Sequence, residues 1–236
     1  MPKEGSGAGD YEDAAAVAVD AWPVCAAVAD GATESAFART WAKRLVRGIV
    51  DGEVTTADAL RDAVPGWQAE WQAAARERAM DRPWYVAAKA AEGAFAAVLG
   101  LSLHADGRWR AVSVGDCCLF QVRDGTLVRS WPFAAADAFT SRPALVASTV
   151  GRELPSPDAT TGVWQAGDQF LLATDAVAAW LMEEGGGDVS PLDRDAFRER
   201  VASARATGAL RNDDATLLVL ELGASSGAAG EAAEGS

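Results

Sequence analysis

The chain has 236 residues, half of them apolar, and its 34 acidic against 21 basic side chains leave a net charge of −13. That length and apolar content give one large domain or two small ones with a sizeable core, and they exclude a disordered chain. The acidic balance makes nucleic acid and anionic membranes poor partners, and it also serves ordinary solubility.

The N-terminal MPKEGSGAGD has no apolar signal core, and no apolar run is long enough to span a bilayer. Cys25, Cys117 and Cys118 form neither a disulfide framework nor a zinc-ligand spacing. These features predict a soluble, reduced, cytoplasmic protein. His104 is the single histidine. Histidine-built metal sites are therefore excluded, and a Ser-His-Asp triad would have to use His104, which reads instead as a solvated turn residue.

Taken in chain order, Ala14 to Val28 predicts two short strands separated by a turn at Asp20 to Pro23, ending in Ala29-Asp30-Gly31. Phe37, Trp41, Leu45 and Ile49 recur at helical spacing and predict a helix from Ser35 to Gly48. A second helix starts near Thr56, with Thr55 or Thr56 as its cap and Asp58 in its first turn. Pro65-Gly66 is expected to break it, and Trp67 to Met80 to continue as a separate helical stretch whose Trp67 and Trp71 pack in the core. From Gly93 the period becomes two. Ala94–Leu103, Trp109–Asp116, Cys118–Arg123 and Thr126–Trp131 predict four strands, with turns at His104 to Gly107 and at Asp124-Gly125. A looser segment, Ala134 to Pro157, leads to two strands between Gly162 and Thr174. Helices are expected at Ala176–Glu184 and Asp193–Arg205, flanking a loop at Gly185 to Pro191, and a last strand at Ala215–Leu222. Residues 1–9 form a short arm, residues 10–222 a single domain, and residues 223–236 a tail without bulky apolar residues, expected to be disordered.

Acidic residues recur at the ends of these apolar strands. Glu12 and Asp13 precede the first strand, Asp30 ends the second, Asp175 ends another in FLLATDA, and Asp213 and Asp214 open the last. Strand ends far apart in sequence can converge on one sheet edge. Converging carboxylates repel one another unless a cation binds, and oxygen ligands without His or Cys suit Mg²⁺, Mn²⁺ or Ca²⁺. Each aspartate alone also fits a plain turn at a strand end.

The order of motifs resembles the metal-dependent Ser/Thr protein phosphatases of the protein phosphatase 2C type. The chain carries Y-E-D-A at Tyr11 to Ala14, A-D-G at Ala29 to Gly31 and V-G-D-C-C at Val114 to Cys118. R-D-G follows at Arg123 to Gly125, L-L-A-T-D-A at Leu171 to Ala176 and D-D-A-T at Asp213 to Thr216. The resemblance implies an α+β fold, a four-layer α-β-β-α sandwich of two antiparallel sheets flanked by helices. It implies two Mn²⁺ or Mg²⁺ ions, both bridged by Asp30. Gly31 (through its carbonyl) and Glu12 would bind one ion, Asp175 and Asp213 the other, and Asp13 would orient water. A metal-bridging water would then attack phosphoserine or phosphothreonine monoesters of a phosphorylated protein, such as a Ser/Thr kinase or its targets.

The chain departs from the family pattern at substrate-facing positions. Ala8 stands where the family has a phosphate-clamping Arg, Tyr11 replaces the Asn of N-E-D, and Ala32-Thr33-Glu34 follow A-D-G. Ala176 replaces a Gly, and Asp214 replaces an Asn. Lys89 and Arg142 are the candidates to contact phosphate instead, and Asp137 is a candidate for a further metal ligand. The alternative reading is a catalytically degenerate module that binds a phosphoprotein or a partner. Cys117 to Arg123 also fits the C-x5-R spacing of cysteine phosphatases. Its intervening Cys, Leu, Phe, Gln and Val predict a strand, whereas that mechanism needs a glycine-rich phosphate loop at a helix start.

Overall fold

Alternation sets the architecture. In the second strand Cys25, Ala27 and Ala29 face one core, while Ala26 and Val28 face another. A strand buried on both faces needs a layer on each side. The computed structural model, which describes residues 1–7, 9–32, 37–79, 92–183 and 193–223, supplies those layers.

One sheet runs β1 (Ala14–Ala18), β2 (Val24–Gly31), β3 (Phe95–Leu103), β4 (Arg108–Val114) and β8 (Asp158–Val163), with the short β7 (Val146–Ala147) also on β3. The other runs β10 (Leu217–Glu221), β9 (Gln169–Ala173), β5 (Cys118–Arg123) and β6 (Thr126–Trp131). All pairings are antiparallel. Helices α1 (Ala38–Gly52) and α2 (Ala57–Ala79) cover the first sheet. Helices α3 (Asp175–Glu183) and α4 (Arg194–Thr207) cover the second. Between the sheets lie Leu99, Leu101, Trp109, Leu119, Phe170 and Leu172, all fully buried. This is the expected four-layer sandwich of two antiparallel sheets flanked by helices.

The strands from 94 to 131 fall within a residue or two of their expected bounds. The Asp124-Gly125 hairpin has positive φ at both positions, 50° and 72°, as a tight primed turn demands. Two expectations fail. β8 begins at Asp158, four residues before Gly162, because it pairs with β4 along its full length. Pro65-Gly66 does not break α2. The apolar positions Leu60, Val64, Trp67, Trp71 and Ala75 stay in helical phase across the proline, and all are buried. Burying two Trp rings outweighs a proline penalty of roughly 3 kcal/mol. Two side chains tie α1 and α2 to β7: Trp41 Nε1 donates to the Val146 carbonyl at 2.8 Å, and Gln68 Nε2 to the Ala147 carbonyl at 2.9 Å. Residues 1–4 are hydrogen-bonded to the segment before β10. Lys3 N donates to Asp214 Oδ1 at 2.9 Å, and Glu4 N to Asn212 Oδ1 at 2.7 Å. Among the described residues no helix is long and apolar enough to cross a membrane. The tail at 224–236, the loop at Gly185 to Pro191 and the expected helix start at Ser35 lie outside the described residues.

Candidate active site

The registers bring the acidic strand ends together. Ala14 pairs with Ala29, so Asp13 lies beside Asp30. Leu217 and Cys118 both pair with Ala173, so the approaches to Asp213, Asp116 and Asp175 meet at one end of the second sheet. Asp30 shares its strand face with Ala26 and Val28, which places it on the side between the sheets. Burial first, then Asp13, Asp175, Asp116 and Asp213, push Asp30 well above the ordinary carboxylate range. Asp116 is pushed up to about 7 by burial and by Asp175. One rim of the sandwich therefore holds five mutually repelling aspartates. Asp116 belongs to the V-G-D-C-C motif, and the sequence pattern alone does not set it among the strand-end acids.

Two pairs sit side by side within this rim. A Cβ added to Gly31 would lie 2.8 Å from the Glu12 carbonyl oxygen, so only glycine lets these two backbones approach. On the other side, Arg211 Nη2 bonds Asp175 Oδ2 and lies 3.2 Å from Asp213 Oδ2. Asp13 is the most constrained member. Its Oδ2 accepts from Thr174 Oγ1 at 3.0 Å and Thr216 Oγ1 at 2.6 Å, and Tyr11 Oη bonds the same Thr216 hydroxyl. Its Oδ1 is buried without a hydrogen-bond partner. Burial pushes Asp13 upward, against the two threonine bonds. Asp214, in place of the family's Asn, accepts from Glu12 N at 2.6 Å and from Lys3 N, and so fixes the entry to β1.

The remaining candidates stand apart. Arg142 is exposed, and among the described residues its side chain makes no ion pair, only its backbone N–H reaching Thr140 Oγ1 at 3.4 Å. Asp137 is exposed on a short 3-10 turn, Ala136–Ala138, that packs against α3. Lys89 and Ala8 lie outside the described residues. Arg123 is committed to the buried Asp168, with Nε to Oδ1 at 2.7 Å and Nη2 to Oδ2 at 2.8 Å. Cys117 is fully buried, and burial holds its thiol well above its usual range. The C-x5-R spacing therefore builds no phosphate loop.

The donor set fits hard divalent cations: carboxylates, the Gly31 carbonyl and the partnerless Asp13 Oδ1, with no His or thiolate among them. Among the described residues, however, no three His, Cys, Asp or Glu side chains converge closely enough to hold one ion. The Arg211 guanidinium lies between Asp175 and Asp213 and supplies positive charge there.

A four-layer sandwich with an acidic rim between its sheets defines a phosphatase-like architecture. The chain belongs to the protein phosphatase 2C family, whose sequence profile matches residues 9–217. No curated protein sequence matches. Among solved structures, the serine/threonine phosphatase PstP of Mycobacterium tuberculosis is 18% identical, with 93% of this chain and 95% of that chain covered and a TM-score of 0.63. Stp1, a serine/threonine phosphatase of Staphylococcus aureus, is 11% identical over 90% and 89% of the two chains, with a TM-score of 0.61. RsbX, solved in complex with magnesium, is 16% identical over 93% and 90%, with a TM-score of 0.51. At these identities the likeness establishes the fold.

Proposed function

We propose that this protein is a metal-dependent phosphatase that hydrolyses phosphoserine and phosphothreonine monoesters in the cytoplasm, with residues 10–222 as its catalytic domain. The observation that carries this reading is the aspartate rim: in a family of phosphatases, five carboxylates repelling one another at one sheet end call for cations. Mn²⁺ or Mg²⁺ would be held by Glu12 and the Gly31 carbonyl on one side and Asp175 and Asp213 on the other, with Asp30 common to both. When bound, two such ions supply charge against the phosphoryl oxygens and acidify a water for attack. The chain's own residues position the rest. Thr174 and Thr216 hold one oxygen of Asp13, so its other oxygen is presented in a fixed direction. A phosphorylated protein, such as a Ser/Thr kinase or its targets, is the proposed partner.

The test is hydrolysis of a phosphothreonine peptide with Mn²⁺, with chelator, and in Asp30→Asn. Activity should need the metal and be lost in the variant, and calorimetry should show Mn²⁺ binding lost on both sides of the rim. Unchanged Mn²⁺ binding in Asp30→Asn would refute the assignment. A second reading, a non-catalytic phosphoprotein-binding module, is favoured by Arg211 bridging Asp175 and Asp213. It wins if the protein binds Mn²⁺ yet turns over neither peptide nor aryl phosphate.

A further inference from the structure

A cavity of about 770 Å³ lies along β10, the edge strand of its sheet. None of Glu12, Asp30, Gly31, Asp175 or Asp213 lines it. Arg39 at the start of α1 and Arg194 and Arg198 at the start of α4 reach it, with Phe197 and Leu217 as apolar wall and Tyr11 beside them. Among the described residues no acidic side chain lines it.

Three guanidinium groups around one cavity are notable in a chain of net charge −13. They make a local cationic field that an anion would enter. Guanidinium forks match phosphate oxygens, two N–H groups to two oxygens, better than they match a single carboxylate charge. The Arg198 ion pair with Asp195 is long, 3.4 Å, and solvent-exposed on both sides, so it competes weakly with a ligand. The wall of Phe197 and Leu217 has no use for inorganic phosphate but suits an organic body, and the volume falls within the usual range for small-molecule sites. Tyr11 and Thr216 both line the cavity, and their hydroxyls are bonded to each other. Thr216 in turn donates to Asp13, so the cavity backs onto the rim.

We propose that this cavity binds a soluble organic phosphate of nucleotide size, its phosphates on Arg194 and Arg198 and its body against Phe197. The proposal is independent of catalysis and is tested in chelator, where metal-dependent binding at the rim plays no part. Calorimetry on the full chain uses ADP, adenosine and pyrophosphate. ADP should bind saturably, pyrophosphate more weakly and adenosine not at all. Arg194 and Arg198 are exposed on α4, so replacing them leaves the core intact. The Arg194→Ala/Arg198→Ala double variant should bind ADP at least about tenfold more weakly, as expected for lost charge-assisted contacts. Arg194→Lys/Arg198→Lys should retain part of the affinity. Phe197→Ala should weaken ADP more than pyrophosphate. Absence of saturable ADP binding, unchanged affinity in the double alanine variant, or equal binding of adenosine would overturn the proposal. So would binding to phosphatidic acid vesicles without binding to ADP, which would make the ligand a membrane headgroup.

Discussion

Arg211 offers the sharpest test of how the rim handles charge. Its Nη2 spans Asp175 Oδ2 and Asp213 Oδ2, where side-chain exposure is 59% for the arginine, 13% for Asp175 and 37% for Asp213. Exposed ion pairs contribute about 0.2–1 kcal/mol each, and the largely shielded Asp175 belongs at the upper end of that range. A divalent ion that takes both carboxylates must break both contacts and approach a like charge. Arg211→Gln removes that competition, which amounts to about 1–1.5 kcal/mol, so Mn²⁺ should bind about five- to tenfold more tightly. The same change leaves Asp175 and Asp213 facing Asp30 and Asp116 without a cation. In chelator the variant should therefore melt about 2–4 °C lower, as expected for a loss near 1 kcal/mol in a domain of this size. Isothermal calorimetry with Mn²⁺ and thermal melts in chelator read the two effects separately. Equal or weaker Mn²⁺ affinity in Arg211→Gln would show that the guanidinium does not compete at the Asp175 and Asp213 pair, and the reasoning would fail.

Cys117→Ser should keep most of the phosphatase activity, because the thiol is fully buried and held protonated by burial and by Asp30 and Asp116; a loss beyond about a thousand-fold with the fold intact would revive a cysteine nucleophile. Asp168→Asn should destabilise the protein, since it removes the carboxylate that binds Arg123, Gln121 and the Gln165 N–H together. Burial alone would raise the Asp168 pKa, but the bonds from Arg123, Gln165 and Gln121 bring it below the usual range. A depressed folded-state pKa contributes stability that is complete above the unfolded value of about 3.9 and is lost as pH falls through the folded one. The gap between wild type and Asp168→Asn in urea unfolding should therefore be full at neutral pH and shrink in acid; a gap that widens in acid would contradict the assignment.

The parts of this fold written in local chemistry were legible in the sequence. Period-two alternation and the Asp124-Gly125 turn gave the four central strands, because both signals depend only on neighbours along the chain. Pro65 misled for the opposite reason. The proline penalty is local, whereas the burial of Val64, Trp67 and Trp71 that overrides it is tertiary. At the rim, the sequence order marked Glu12, Asp13, Asp30, Asp175 and Asp213, and the registers bring Asp13 to Asp30 and Asp175 toward Asp213. Arg211 carried no signal of its own, since it stands before an Asn-Asp-Asp run that reads as an ordinary turn. Its role depends on Asp175, 36 residues away.

The substitutions around the rim share a direction once these contacts are in view. Asp214 adds a carboxylate where the family pattern has an amide, and that carboxylate accepts two backbone N–H groups, from Lys3 and Glu12. An amide could accept only one of these bonds, because Lys3 N donates to Oδ1 and Glu12 N to Oδ2. The extra charge falls on Asp13, whose pKa it raises. Relative to that pattern the rim has gained negative charge at Asp214, and the sequence has alanine, not arginine, at position 8. Such a rim attracts divalent ions more strongly and phosphate dianions less. Arg211 at one side of the rim supplies a compensating positive charge, but while it bridges Asp175 and Asp213 it cannot also hold a substrate phosphate. Occupation of those two carboxylates by a divalent ion would release the guanidinium beside the phosphoryl group. Under that coupling Arg211→Gln, although it tightens Mn²⁺, should raise the KM for an aryl phosphate. A KM that falls together with the Mn²⁺ dissociation constant would show that Arg211 only competes with metal and takes no part in holding phosphate.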